Sequence, residues 1–197
     1  MIKLTMRKFF NILVLSLFLT TPTLSNDIKD FEIEGISIGD SLLNHFSKEK
    51  ITNAVKTIFP GSKKFYSVHF LSDSNIYDQF SFTIKSDDKK YILYALSGDI
   101  WFEDDLKGCL KQKEIIVEEV SAMFSNIKKN TYTHKYKTVA DGKSFSKVTD
   151  LSFKDGSDIR IFCNSYSKET EKLGYKDMLS VNISTSELTN WINSEAY

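Results

Sequence analysis

A chain of 197 residues, 41% of them hydrophobic, carries enough apolar material for one substantial core and hardly enough for two independent domains. Its 26 basic residues balance 26 acidic ones, and removing Lys3, Arg7 and Lys8 with the first 25 residues would leave 23 against 26, a formal charge of −3. That balance excludes a nucleic-acid binder, whose phosphate contacts demand a positive field.

The opening stretch MIKLTMRKFFNILVLSLFLTTPTLS has the three parts of an export signal. A positive start at Lys3, Arg7 and Lys8 precedes an acid-free apolar run from Phe9 to Leu19, and Thr23 and Ser25 supply small side chains before Asn26. The run is shorter than the roughly 20 apolar residues of a permanent span. Residues 1–25 are therefore expected to be a cleaved signal peptide, and residues 26–197 a single soluble α+β domain in the periplasm or outside the cell. With no cysteine near the cleavage point and no apolar C-terminal tail, no permanent membrane anchor is expected.

Phe31 to Leu43 opens with a short alternating stretch, in which Gly35 and Gly39 relieve backbone crowding and Asp40 is positioned to cap a helix containing Leu42, Leu43 and Phe46. A second helix after Ser47 would turn Ile51, Val55 and Ile58 or Phe59 inward and end at Pro60-Gly61. The period then changes to two. Tyr66, Val68 and Phe70, then Phe80, Phe82 and Ile84, and after a Ser86–Lys89 turn Ile92, Tyr94 and Leu96, describe an antiparallel meander with one buried face and a polar outer face.

From Asp104 a five-turn helix is predicted, with Leu106, Cys109, Leu110, Ile116, Val117, Val120 and Phe124 on its apolar side and Lys111, Lys113, Glu118 and Glu119 in water. Beyond it, a three-residue Lys154-Asp155-Gly156 turn sets Phe153 opposite Ser157 and Leu151 opposite Ile159, with Gly156 in the left-handed bulge position. This register turns Ile159, Ile161 and Cys163 inward. A strand with Leu179, Val181 and Ile183 then leads to a short helix whose Leu188, Trp191 and Ile192 close the core edge, with Ser184 and Glu187 spaced as a capping box. The fold class is thus α+β, antiparallel sheet segments packed against helices. Each half combines helix and strands, which leaves a two-half architecture open without a residue-by-residue repeat.

Cys109 and Cys163 are the only cysteines. Helix and strand periods both turn them inward, and an oxidising compartment permits a disulfide closing a 55-residue loop. Two separate buried thiols are the alternative. Redox catalysis lacks the adjacent pair of C-x-x-C.

No catalytic, cofactor-binding or metal-ligating set emerges. His45, His69 and His134 lack zinc-ligand spacing, and His69 reads as a structural residue beside Val68 and Phe70. Asp104-Asp105 and Glu118-Glu119 read as a helix cap and a solvated face, although paired carboxylates can serve acid–base chemistry. Tyr91, Tyr94, Trp101 and Phe102 suit either core packing or a small apolar pocket. There is no nucleophile elbow or phosphate loop, and no cofactor is expected.

The segments FEIEGISIGDSLLNHFSKEKI, YDQFSFTI, YILYALSG and GYKDMLSVNI together resemble an uncharacterised family of small exported proteins from marine alphaproteobacteria. The Gly35–Phe46 beginning is more distantly similar to small envelope proteins related to outer-membrane assembly, whose lipid-anchor cysteine this chain lacks. The resemblance implies an exported soluble domain and assigns no activity to any residue. The expected role is a periplasmic binding or protein-interaction module, its partner an envelope protein or a small molecule. The alternative is a small hydrolytic enzyme acting on a polar substrate.

Overall fold

The computed structural model describes residues 27–136 and 142–197. The expected signal peptide and Asn26 lie outside the described residues. Eight strands form one sheet: β1 (Val55–Ile58), β2 (Phe65–Leu71), β3 (Gln79–Lys85), β4 (Leu93–Trp101), β5 (Lys128–Lys135), β6 (Phe145–Ser152), β7 (Asp158–Ser165) and β8 (Met178–Ser184). The order across it is β1-β2-β3-β4-β8-β7-β6-β5, and every neighbouring pair is antiparallel. Four helices accompany it, α1 (Lys48–Asn53), α2 (Leu106–Met123), α3 (Lys168–Glu171) and α4 (Ser186–Ser194). This is the mixed α+β class the alternation predicts. Among the described residues, no helix is long and apolar enough to cross a membrane.

One sheet face carries the main core. Val68, Phe82, Leu96, Ile183, Ile159 and Leu151 are successive cross-strand partners from β2 to β6, and all are buried. Two covers lie over this row. The segment before β1 contributes Ile28, Phe31, Ile33, Ile36, Leu42 and Ile51, while α2 contributes Cys109, Ile116, Val117 and Val120. Asp105 caps α2 by accepting from the Gly108 N–H at 2.8 Å. Cys109 and Cys163 are bonded, with Cα atoms 6.1 Å apart, which joins α2 to β7.

The tight turn forms as the side-chain parity requires. Leu151 pairs with Ile159, the Phe153 N–H donates to Ser157 O at 2.9 Å, and Gly156 has φ +87°. At that φ a side chain would crowd its own backbone, so glycine suits the position.

Several local expectations are corrected. The second helix stops at Asn53, and Val55–Ile58 instead form an edge strand in which Val55 is 74% and Ile58 56% exposed. These β-branched residues meet a free sheet edge before they could reach the core. Ser41, rather than Asp40, caps the short 3₁₀ turn Leu42–Asn44, and Asp40 accepts from the Ser37 N–H. Thr185, rather than Ser184, caps α4, and Glu187 pairs with Lys64 and Lys85. A bulge at β4 aligns Leu93 with Ile84 and Ala95 with Thr83, so Tyr94 crosses to the face opposite Leu96. Lys113 is not wet. It is 1% exposed between α2 and the sheet, donating to Thr149 Oγ1 and Glu114 Oε1 at 2.9 Å each, so its ammonium is buried with partners rather than alone.

Gly98, at the centre of β4, has a specific role. A Cβ there would meet the Tyr77 ring at 2.5 Å. The missing side chain lets the aromatic ring lie directly on the sheet, where it also meets Phe80 at 5.4 Å between centroids.

Candidate functional site

The face opposite the main core has a different composition. His69, Ser81, Ser97, Asn182, Arg160, Asp150 and Asn130 are successive partners running from β2 to β5. A row one pleat position away is apolar, whereas this one is wholly polar. The neighbouring row includes Ser67, Thr83, Ala95, Ser184 and Asp158. Helix α4 closes that side: Leu188 and Trp191 pack with Ala95 and Phe65, and Thr189 donates to Asp158 Oδ2 at 2.9 Å.

A cleft of about 530 Å³ lies over this face and touches residues of β2 to β8 as well as α4 and Tyr197. Its floor is sunk between taller side chains. Ser180 is 2% exposed and Asp99 4% exposed, flanked on the same face by Gln79 and Phe162. Ser180 donates to Asp99 Oδ1 at 2.6 Å, and Gln79 Nε2 to Oδ2 at 3.3 Å. Burial raises the Asp99 pKa, and those two bonds only partly oppose it. Asp158 is also raised by burial, against the pull of Arg160 and Thr189. Arg160 is committed to Asp150, with Nε to Oδ1 at 2.7 Å. His69 hydrogen-bonds Ser81 through Nδ1 at 2.7 Å and Thr57 through Nε2 at 2.8 Å, and burial lowers its pKa. Burial thus disfavours its charged form.

The raised Asp99 value has a sign that can be tested. Folding increases the affinity of this carboxyl for its proton, so its contribution is fully present below the unfolded carboxylate value and is lost as pH rises through the folded one. Asp99→Asn copies the protonated group and keeps an acceptor for Ser180. It is expected to raise the thermal midpoint at neutral pH, with the gain disappearing below the ordinary carboxylate range. A pH series of melting curves for both proteins measures it, and a loss of stability at neutral pH would contradict the burial argument.

The residues singled out in the sequence do not converge on one site. His69 and His134 line the cleft, whereas His45 sits 3.7 Å from Asp40. Tyr91 and Phe102 pack on the main core, Tyr94 packs on Phe65 across the sheet, and Trp101 lies under Lys176, whose Nζ is 3.3 Å from the ring centroid. Glu118 and Glu119 are exposed on α2. Asp104 and Asp105 part company, since Asp105 caps α2 while Asp104 pairs with Lys168 at 2.5 Å.

Asp104, Glu171 and Asp177 each place a carboxylate oxygen within 4.8 Å of the others. Lys168 also bonds Glu171 at 2.9 Å, so an ammonium group already balances this cluster, and Asp177 accepts from the Tyr166 N–H at 2.6 Å. The three acids come from separate segments, which is why no local spacing announces them.

No family model, curated protein or solved structure matches the chain. The chemistry of the cleft therefore rests on its own geometry. Asp158 pairs with Ser184 and Ser184's other neighbour is Ala95, four residues along β4 from Asp99. At about 3.4 Å per residue, the backbone positions of the two raised acids are offset by roughly 14 Å along the strand direction. Paired acid–base carboxylates in glycoside hydrolysis stand within about 10 Å. His69, for its part, has hydroxyls rather than a carboxylate on both ring nitrogens. Among the described residues, the cleft presents hydroxyl and amide groups, the Arg160–Asp150 pair and two buried carboxyls across a broad surface.

Proposed function

We propose that this chain is an exported binding or protein-interaction module that works without catalysis. The observation that carries the reading is the polar row from His69 to Asn130 beneath an open cleft, on a sheet whose other face supplies the core. Such a surface orients a ligand through several side chains at once, which is what binding requires. The wide separation of Asp99 and Asp158 weighs against these two carboxyls acting together as a hydrolytic pair.

Export to the periplasm or beyond is supported by the charged and apolar pattern of residues 1–25 and is compatible with the Cys109–Cys163 disulfide. The resemblance to small exported proteins points the same way. We also read the domain as two halves meeting at β4 and β8. The mirror-like strand order supports this, as does the division of the core's cover between the segment before β1 and α2.

The test is purification from an envelope extract without reducing agent, followed by intact and native mass measurement. The expected product begins near Asn26, lacks two hydrogens at its cysteines, and carries a bound molecule or protein that the cleft variant Asn182→Leu loses. Retention of residues 1–25 in the envelope pool would refute cleavage. A wild-type protein recovered alone at every salt concentration would refute stable binding.

A further inference from the structure

From the cleft chemistry, and resting on the binding reading above, we infer that the ligand is a neutral oligosaccharide, seated on the Ser81–Ser97–Asn182 row and stacked at the β5 end of the cleft. The first argument is the kind of group present. Serine hydroxyls and an asparagine amide both donate and accept, which matches the adjacent hydroxyl pairs of a sugar. Asn182 donates to Ser97 at only 3.4 Å and accepts from Ser184 at 2.9 Å. An amide can engage in about four bonds, so capacity is left for a ligand.

The second argument is charge. The one guanidinium of the row, Arg160, is bound to Asp150, and His69 has both ring nitrogens bonded to the hydroxyls of Thr57 and Ser81 in a setting that disfavours its charged form. Asp99 and Asp158 accept from Ser180 and Thr189. Among the described residues that line the cleft, Arg160 is the only lysine or arginine and its charge is paired with Asp150, so a phosphate, sulfate or carboxylate would also face these acids, whereas ligand hydroxyls would find acceptors.

The third argument concerns the backbone. The floor belongs to strands that are paired on both sides, so their N–H and C=O groups are spent in the ladders. A peptide adding itself as a strand needs a free edge, which this floor does not offer. Recognition here must run through side chains. At the rim, Tyr132 is exposed on β5, and Tyr136 stands over Ser146 and Asn164, donating to Asn164 Oδ1 at 2.7 Å. The exposed Tyr132 ring offers an apolar face to the C–H side of a pyranose, while Tyr136 is stacked on Tyr166 and in T-shaped contact with His134. The cleft volume of about 530 Å³ lies in the ~300–1,000 Å³ range of small-ligand sites.

The experiment is a nitrogen-15 NMR titration of the disulfide-bonded protein from Asn26 onward, with maltotetraose, xylotetraose, chitotetraose and a sulfated heparin tetrasaccharide. At least one neutral sugar is expected to shift the signals of Ser81, Ser97, Asn182 and Tyr132. Asn182→Leu and, separately, the exposed-rim variant Tyr132→Ala should weaken that sugar by about ten-fold, the effect of one or two lost contacts. Unchanged melting curves would show that each variant is folded. Silence of these signals with all three neutral sugars, or tighter binding of the sulfated one, overturns the saccharide inference. The binding reading stands or falls separately, on whether an envelope molecule co-purifies with the wild type and is lost from Asn182→Leu.

Discussion

Trp191→Ala is expected to lower the unfolding free energy by about 3–5 kcal/mol, the usual cost of emptying a buried aromatic site. Trp191 is fully enclosed by Phe59, Phe65, Leu188 and Ala95, with ring centroids 5.0 Å from both phenylalanines. Its indole N–H reaches Ser62 Oγ at 3.4 Å, and the chain continues to Ala196, whose carbonyl accepts from Gly61 at 2.8 Å. The indole therefore pins α4, the C-terminal residues and the Phe59–Ser62 connection together. Urea unfolding followed by far-ultraviolet circular dichroism gives the number. Trp191→Phe should recover more than half of the loss, because it refills most of the volume. A wild-type midpoint for Trp191→Ala would show that this second cluster contributes nothing.

Reduction of the Cys109–Cys163 bond carries the other large effect. The bond closes a 55-residue loop, for which chain entropy gives about 4 kcal/mol, and native bonds of this kind contribute about 2–4 kcal/mol. The loop holds β5, β6 and most of β7, so its restraint acts on the half of the sheet farthest from β1. Urea titrations with and without dithiothreitol should differ by that amount, and Cys109→Ala/Cys163→Ala should match the reduced protein. If the reduced and oxidised midpoints coincide, the restraint is already present in the unfolded chain. Lys113 makes a local check possible: its bond to Thr149 holds α2 against β6 one turn from Cys109 and does not depend on redox state.

How much of this was legible depended on whether a segment's partners leave a periodic mark. The α2 stripe, the 153–157 turn, β8 with α4, and the inward cysteines all follow from periods of 3.6 or 2 over buried residues. Strand β5 left no such mark. KKNTYTHK is exposed at every position and is held by β6 alone, so nothing forces apolar alternation on it. Val55–Ile58 misled for the opposite reason, since apolar residues on an edge mimic a helix's inward face. Tyr94 changed sides because a bulge adds one residue to the count, and Lys113 became buried because Thr149 and Glu114 meet its ammonium. Both depend on partners distant in sequence or on ladder geometry.

The candidate site was half visible. Alternation identifies the polar face of the meander, including Ser67, His69, Ser81 and Thr83, but assigns it only to solvent. That β7 and β8 extend the same polar row through Arg160 and Asn182 is a consequence of strand order, which no local pattern encodes.

The pleat gives this molecule two sets of positions with separate tolerances to mutation. Residues 82, 96 and 183 bear the apolar row, while 81, 97 and 182 bear the polar one, each a single step away along the same strands. A hydroxyl exchanged for an amide at 81 or 97 changes what the cleft offers without altering the volume of the core beneath. Drift in binding preference can thus accumulate with little cost in folding, provided the substitutions keep to one parity. An insertion of one residue in β4 would exchange the two sets for the rest of that strand, which makes the existing bulge at Tyr94 a setting of the register on which both faces depend.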